Sequence, residues 1–155
     1  MPTPLSIDRR RTLLGAGLLI GLGLAGARPL LAEAVENDTA ERLAAFTGGR
    51  TPQEGRITID LPDVAENGAA VPLSLQIDSP MTAEDHVRRV LILATGNPSA
   101  RVAELQFSPL SGVAAFATRI RLGRSQDVTV LAEMSDGRLY TASRRVQVTL
   151  GGCIG

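Results

Sequence analysis

The chain has 155 residues and contains no lysine and no tryptophan; all 16 of its basic residues are Arg. The missing lysine reads as compositional bias. Aromatic residues make up 3%, so a core must be built from Val, Ile, Leu and Ala. Histidine and cysteine occur once each, as His86 and Cys153, far apart in the chain. That excludes the ligand spacings of a zinc or haem site, and no metal site is expected. Glu84, Asp85 and His86 read as a solvated turn after Pro80-Met81. A single cysteine also excludes an internal disulfide and a Cys-x-x-Cys redox pair. No repeat of 20–50 residues and no low-complexity tract is present. Ser108, Ser111 and Ser143 lack a nucleophile-elbow context. Gly48-Gly49 lacks a phosphate-loop pattern. Arg119, Arg121 and Arg124 read as a solvated strand face.

The long hydrophobic run of a membrane span is missing too. The longest candidate, Leu13 to Ala27, is fifteen residues interrupted by five glycines, against the roughly 20 apolar residues a spanning helix needs. Arg9, Arg10 and Arg11 precede it and Ala32-Glu33-Ala34 follows, the small-x-small pattern of a signal-peptidase site. Arg10-Arg11-Thr12-Leu13-Leu14 fits a twin-arginine signal. Residues 1–34 are therefore expected to be a cleaved export signal that delivers the chain to the periplasm. Its removal takes Arg9, Arg10, Arg11, Arg28, Asp8 and Glu33. The remainder has twelve Arg against fourteen acids, a net charge of −2. That balance argues against nucleic acid and against stable membrane association. In an oxidising compartment, Cys153 must be free, modified or joined to another molecule.

With 44% hydrophobic and 21% charged residues, the rest of the chain suits one folded domain, residues 35–150. Asn37 to Phe46 reads as a short helix, with Asp38 and Glu41 as a capping box, Leu43 and Phe46 on one face, and Gly48-Gly49 as the stop. From Arg56 the pattern becomes strand-like. Arg56–Leu61 and Ala70–Ile77 alternate with period two. Arg89–Ala94 is continuously apolar, as in a strand buried on both faces. Val102–Phe107, Ala114–Leu122, Asp127–Met134 and Arg138–Leu150 follow, with Asp136-Gly137 as a hairpin turn. About seven strands at this spacing predict an all-β, two-sheet antiparallel sandwich with a short N-terminal helix.

The tail Gly151-Gly152-Cys153-Ile154-Gly155 leaves the last strand. Gly151, Gly152 and Gly155 read as the hinges of a flexible arm, because glycine has the widest backbone freedom. Such an arm would carry the thiol on the order of 10 Å from the domain edge, at roughly 3.3–3.6 Å per residue. A mobile nucleophilic sulfur suits a group carrier better than a metal site or a catalytic nucleophile, which need rigid placement. The thiolate is the attacking species and a free thiol titrates at about 8.5. No cation adjoins Cys153 in sequence, so activation is expected from a partner's pocket.

The tail resembles the C-terminal GGCGG signature of the SoxY family of sulfur carriers. The likeness extends to Ala65-Glu66-Asn67-Gly68 with Val71-Pro72, Ser79-Pro80-Met81-Thr82, Asn97-Pro98, Thr118-Arg119-Ile120-Arg121-Leu122 with Gln126, and Val148-Thr149-Leu150-Gly151-Gly152-Cys153. The helix ending in Gly48-Gly49 and the twin-arginine leader are similar as well. The resemblance implies an immunoglobulin-like β-sandwich that acts as a non-enzymatic carrier of thiosulfate-derived sulfur, attached covalently at Cys153, with no cofactor of its own. It implies pairing with a SoxZ-type subunit. It also implies transient contacts with the SoxXA cytochrome, the SoxB hydrolase and, in some systems, a sulfane dehydrogenase. Ile154 stands where the family usually has Gly. Being β-branched and apolar, it is expected to stiffen the arm and to serve as an anchor in a partner's pocket. The competing expectation is an exported interaction module whose Cys153 forms an intermolecular disulfide.

Overall fold

In the computed structural model, residues 37–152 are described; the expected export signal over 1–34 and Cys153, Ile154 and Gly155 lie outside the described residues. The chain forms α1 (Thr39–Thr47), then β1 (Gln53–Glu54), β2 (Ile57–Asp60), β3 (Val64–Asn67), β4 (Val71–Ile77), β5 (Val87–Ala94), β6 (Arg101–Gln106), a 3-10 turn at Pro109–Ser111, β7 (Ala114–Ile120), β8 (Gln126–Met134) and β9 (Leu139–Leu150). One sheet has the order β1-β9-β8-β5-β6 with β3 also on β9; the other is β2-β4-β7. This is an immunoglobulin-like sandwich.

The strand patterns explain the packing. In β4, Val71, Leu73, Leu75 and Ile77 are buried while the residues between them are exposed, as period-two alternation dictates for one core-facing surface. They meet Val90, Ile92 and Ala94 of β5 and Val128, Val130, Ala132 and Met134 of β8 in the core between the sheets. The odd-numbered neighbours Leu91, Leu93 and Leu131 face the other way. They join Ala100, Leu139 and Phe46 in a second cluster under α1. Thus β5 is buried on both faces because a helix covers its outer side, which is why Arg89–Ala94 reads as an unbroken apolar run.

All seven expected strands form, and β1 and β3 are additional. Both are short, and both pair in parallel with β9, β1 at its start and β3 at its end, whereas the other pairings are antiparallel. The Asp136-Gly137 turn joins β8 to β9, with Gly137 at φ 85.

The helix differs from expectation. It starts at Thr39 and extends to Thr47, and Asp38 makes no side-chain cap bond. Its carboxylate instead accepts the Ala100 amide at 2.7 Å and the Arg42 Nε at 2.5 Å. The Asp38–Glu41 capping box is therefore absent, because a tertiary contact takes the capping oxygen. Asn37 accepts the Thr39 amide at 3.1 Å and donates to the carbonyls of Thr95 and Asn97. Leu43 is exposed, so Phe46 supplies the helix's large apolar contact with the sheet. Gly48 ends the helix in the left-handed region, its amide bonded to Ala44.

Candidate functional site

Strand β9 leads directly into the tail, so whatever surrounds Leu150–Gly152 sets where Cys153 departs. Three connectors meet there: residues 68–70 between β3 and β4, 95–100 between β5 and β6, and 121–125 between β7 and β8. Each belongs to a loop at the same end of the sandwich, because β4 and β8 begin there and β5, β7 and β9 end there.

A buried polar pair ties two of these loops together. Asn97, 6% exposed, donates from Nδ2 to the Arg121 carbonyl at 2.9 Å. Its Oδ1 accepts the Gly123 amide at 3.1 Å and the Gln126 Nε2 at 2.8 Å. Gln126 Oε1 accepts the Gly96 amide at 2.7 Å, and its Nε2 also donates to the Arg124 carbonyl. Buried amides are stable when their donors and acceptors are paired, and here the pairing fixes the loop that contacts the tail.

The third loop is joined through backbone bonds. The Gly68 amide donates to Leu150 O at 2.7 Å, the Leu122 amide to Gly68 O at 2.8 Å, and the Gly152 amide to Leu122 O at 3.0 Å. The Val148 amide adds a bond to Ser125 Oγ at 2.9 Å. Gly152 is buried, and with Gly96, Pro98, Gly123 and Arg124 it lines a shallow pocket of about 240 Å³. Arg124 Nε donates to the Gly96 carbonyl at 3.0 Å, which holds this guanidinium beside the pocket.

Gly151 and Gly152 were expected to be swivels. Their surroundings give them a different role. A Cβ on Gly151 would stand 2.2 Å from Gly123 O, and one on Gly152 would stand 2.8 Å from Gly68 O and 2.9 Å from Ala69 backbone atoms. They are glycines because the backbone of other loops approaches them closely, and the packed body extends through Gly152, two residues beyond the expected boundary at 150. Gly155, Ile154 and the expected attachment residue Cys153 lie outside the described residues.

The other sequence candidates fall elsewhere. His86 sits at the opposite end, its Nδ1 3.0 Å from Thr82 O and its amide bonded to Ser135 Oγ. Asp85 faces Arg56 at 3.5 Å. Among the described residues no group of three or more His, Cys, Asp or Glu stands close enough to hold a metal ion. Arg119, Arg121 and Arg124 are exposed, as expected, and Arg124 also lines the pocket at the tail. Reasoning from sequence missed the structural roles of Gly68, Asn97, Arg124 and Gln126. The signal was present in all but Arg124: Asn67-Gly68, Asn97-Pro98 and Gln126 belong to the very motifs that carry the family resemblance, and the fold gathers them around the tail.

The fold and site define an immunoglobulin-like β-sandwich whose C-terminal strand delivers a cysteine tail from a closed backbone network. The family model for sulfur oxidation protein SoxY matches residues 43–153, and the chain belongs to the SoxY family. The sulfur carrier protein SoxY from Chlorobium limicola f thiosulfatophilum superposes with a TM-score of 0.61 at 29% identity, over 72% of this chain and 96% of that one. A superoxide reductase (neelaredoxin) from Ignicoccus hospitalis superposes with a TM-score of 0.50 at 14% identity, over 61% of this chain and 80% of that one, a likeness of fold alone. Among curated protein sequences none matches the chain significantly.

Proposed function

We propose that this sulfur oxidation protein is a periplasmic, non-catalytic carrier that holds thiosulfate-derived sulfur covalently on Cys153. The observation that carries the reading is that the family match extends from α1 to Cys153 itself. The root of the tail supports it, since Gly68 and Leu122, both within motifs shared with the family, hold Leu150 and Gly152 through backbone bonds.

The loading step joins the Cys153 sulfur to the sulfane sulfur of thiosulfate. The thiol proton is released, and two electrons pass to a c-type cytochrome of the SoxXA kind. The product is a cysteine S-thiosulfonate with its sulfonate outermost. A SoxB-type hydrolase then adds water across the bond to that sulfonate. Sulfate leaves, and a persulfide anion remains on the carrier, with two protons released. A sulfane dehydrogenase would oxidise the remaining sulfur. The chain's own part is to expose the thiol, keep it attached to a rigid body, and present one end of that body to successive partners. A SoxZ-type subunit pairs with the sandwich in this reading, and residues 1–34 direct export by the twin-arginine route.

Intact-mass spectrometry of the protein purified from thiosulfate-grown cells tests the proposal. The expected result is a mass gain equal to thiosulfate less the thiol hydrogen, or to added sulfur, mapped to Cys153 and lost in Cys153→Ser. A chain that remains unmodified after incubation with thiosulfate and the cognate cytochrome, or one found solely as a disulfide-linked species, would overturn it in favour of an interaction module.

A further inference from the structure

We propose that Gly68 is a positioning residue for the carrier: with Gly151 and Gly152 it forms a backbone clamp that fixes the root of the cysteine arm. This rests on the carrier reading and deepens it. Three segments distant in sequence close on one another in a continuous series of hydrogen bonds, Gly68 to Leu150, Leu122 to Gly68 and Gly152 to Leu122, all between 2.7 and 3.0 Å.

Gly68 is the residue this series cannot replace. Its φ lies outside the left-handed region, so no turn geometry demands glycine there. A Cβ at Gly68, however, would stand 2.1 Å from Leu122 O and 2.8 Å from Gly152 N. Both are backbone atoms of the series itself and cannot rotate aside as a side chain would. The same holds for Gly151 against Gly123 O at 2.2 Å. A free swivel would need none of these contacts and would place no requirement on a residue in the β3–β4 turn.

The clamp changes what the arm is. Cys153 follows Gly152 directly, so the thiol is one residue from a fixed point beside Gly96, Pro98, Gly123 and Arg124. A partner that reaches a thiol so near the body must also accept this end of it. Gly68 therefore acts through the arm's origin and touches no cargo.

Amide exchange and loading by cognate cytochrome with thiosulfate, both on the full mature chain, test the clamp. In the wild type the Gly152 and Leu122 amides are expected to be protected. Gly68→Ala is expected to abolish that protection while β5 and β8 amides keep theirs. Alkylation of Cys153 by iodoacetamide should be unchanged, whereas cytochrome-dependent loading should fall about tenfold or more, as loss of positioning predicts. A fold defect alone would not separate the two reactions of the same thiol. Insertion of two glycines between Gly152 and Cys153 leaves the clamp intact and covers the case in which Gly68→Ala does not fold; its loading is expected to fall as well. Unprotected Gly152 and Leu122 amides in the wild type, or wild-type loading in either variant, would overturn the clamp. Failure of the wild type to load would instead remove the carrier reading, while amide protection would still report on the clamp.

Discussion

Arg89 and Glu133 are register partners across β5 and β8, and the Arg89 guanidinium lies 2.5 Å from Glu133 Oε2. Arg50 approaches the other carboxylate oxygen at 3.1 Å and also donates to the Gly137 carbonyl. The Arg89 guanidinium in turn covers the Phe46 ring, 4.6 Å from its centroid. This network fastens α1 and the segment after it to the outer face of the larger sheet. The Glu133 side chain is 8% exposed, so its charge depends on both partners.

The first prediction concerns acid stability. Burial pushes the Glu133 carboxyl upward, but hydrogen bonds from Arg89 and Arg50 and their positive charges outweigh it and hold the group below its ordinary value of 4.5. A carboxylate with a depressed folded-state pKa contributes stability in full above its unfolded value. That contribution is lost as pH falls through the folded one. Glu133→Gln should therefore cost about 2 kcal/mol at pH 7, the scale of a charge-assisted hydrogen bond. The difference from wild type should shrink as pH drops below 4.5. Urea denaturation at several pH values measures it, and a deficit independent of pH would contradict the assignment.

Phe46→Ala tests the helix clamp from its apolar side. Phe46 is 4% exposed and is the large side chain by which α1 enters the second core cluster. Truncation should cost about 3 kcal/mol, the lower range for a buried aromatic, and should raise exchange in α1 more than in β4. Leu43→Ala, on the exposed side, should change stability by less than about 0.5 kcal/mol.

The alternation in β4 was readable because each of its residues obeys a local rule, inward or outward by parity. The double burial of β5 was readable because Leu91 and Leu93 are apolar where alternation would make them polar. The strands β1 and β3 were not readable. They are two and four residues long, and their only pairing is to β9, which lies far along the chain. Asp38 looked like a cap because the local pattern is right; the Ala100 amide that takes its oxygen is invisible from Asp38's neighbours. Gly151 and Gly152 failed in the same way. A glycine pair reads as freedom in one dimension, and the carbonyls of Gly123 and Gly68 turn it into a requirement for space.

Asn97 gives a prediction at the junction between body and tail. It commits both of its side-chain polar atoms to the 121–125 connector and to Gln126 at the start of β8 while nearly fully buried. Asn97→Ala should leave the Gly123 amide and the Arg121 carbonyl without those partners and destabilise the fold by about 2–3 kcal/mol. Exchange should rise at Leu122 and Gly123 before it rises in β8. Uniform loosening of the whole sandwich would show that the connector has no local stability of its own.

The proposed leader, residues 1–34, provides a test that separates two export routes. Arg10→Lys with Arg11→Lys preserves the positive charge of the n-region. A route that reads charge alone would still export the chain, whereas a twin-arginine receptor reads the guanidinium pair. The expected outcome is accumulation of the uncleaved precursor in the cytoplasm, measured by fractionation and immunoblot. Normal periplasmic processing of the double variant would point to the general secretory route.

Ile154 is where this chain departs from the glycine usual in the family, and the clamp makes the departure consequential. If the arm were free from Leu150 onward, one stiff residue near its end would alter a broad distribution of positions very little. With the root held through Gly152, Ile154 is two residues beyond the fixed point and follows Cys153 directly in sequence, so in the carrier reading its side chain would enter a partner together with the thiol. Full burial of an isoleucine is worth about 1.5–3 kcal/mol. Ile154→Gly should therefore raise the concentration of carrier needed for half-maximal loading by about tenfold, with the maximal rate little changed. That pattern is the signature of lost ground-state binding. Steady-state loading by the cognate cytochrome, with carrier concentration varied, measures both quantities. Faster or tighter loading of Ile154→Gly would show that the isoleucine hinders entry, and the anchoring role would fall.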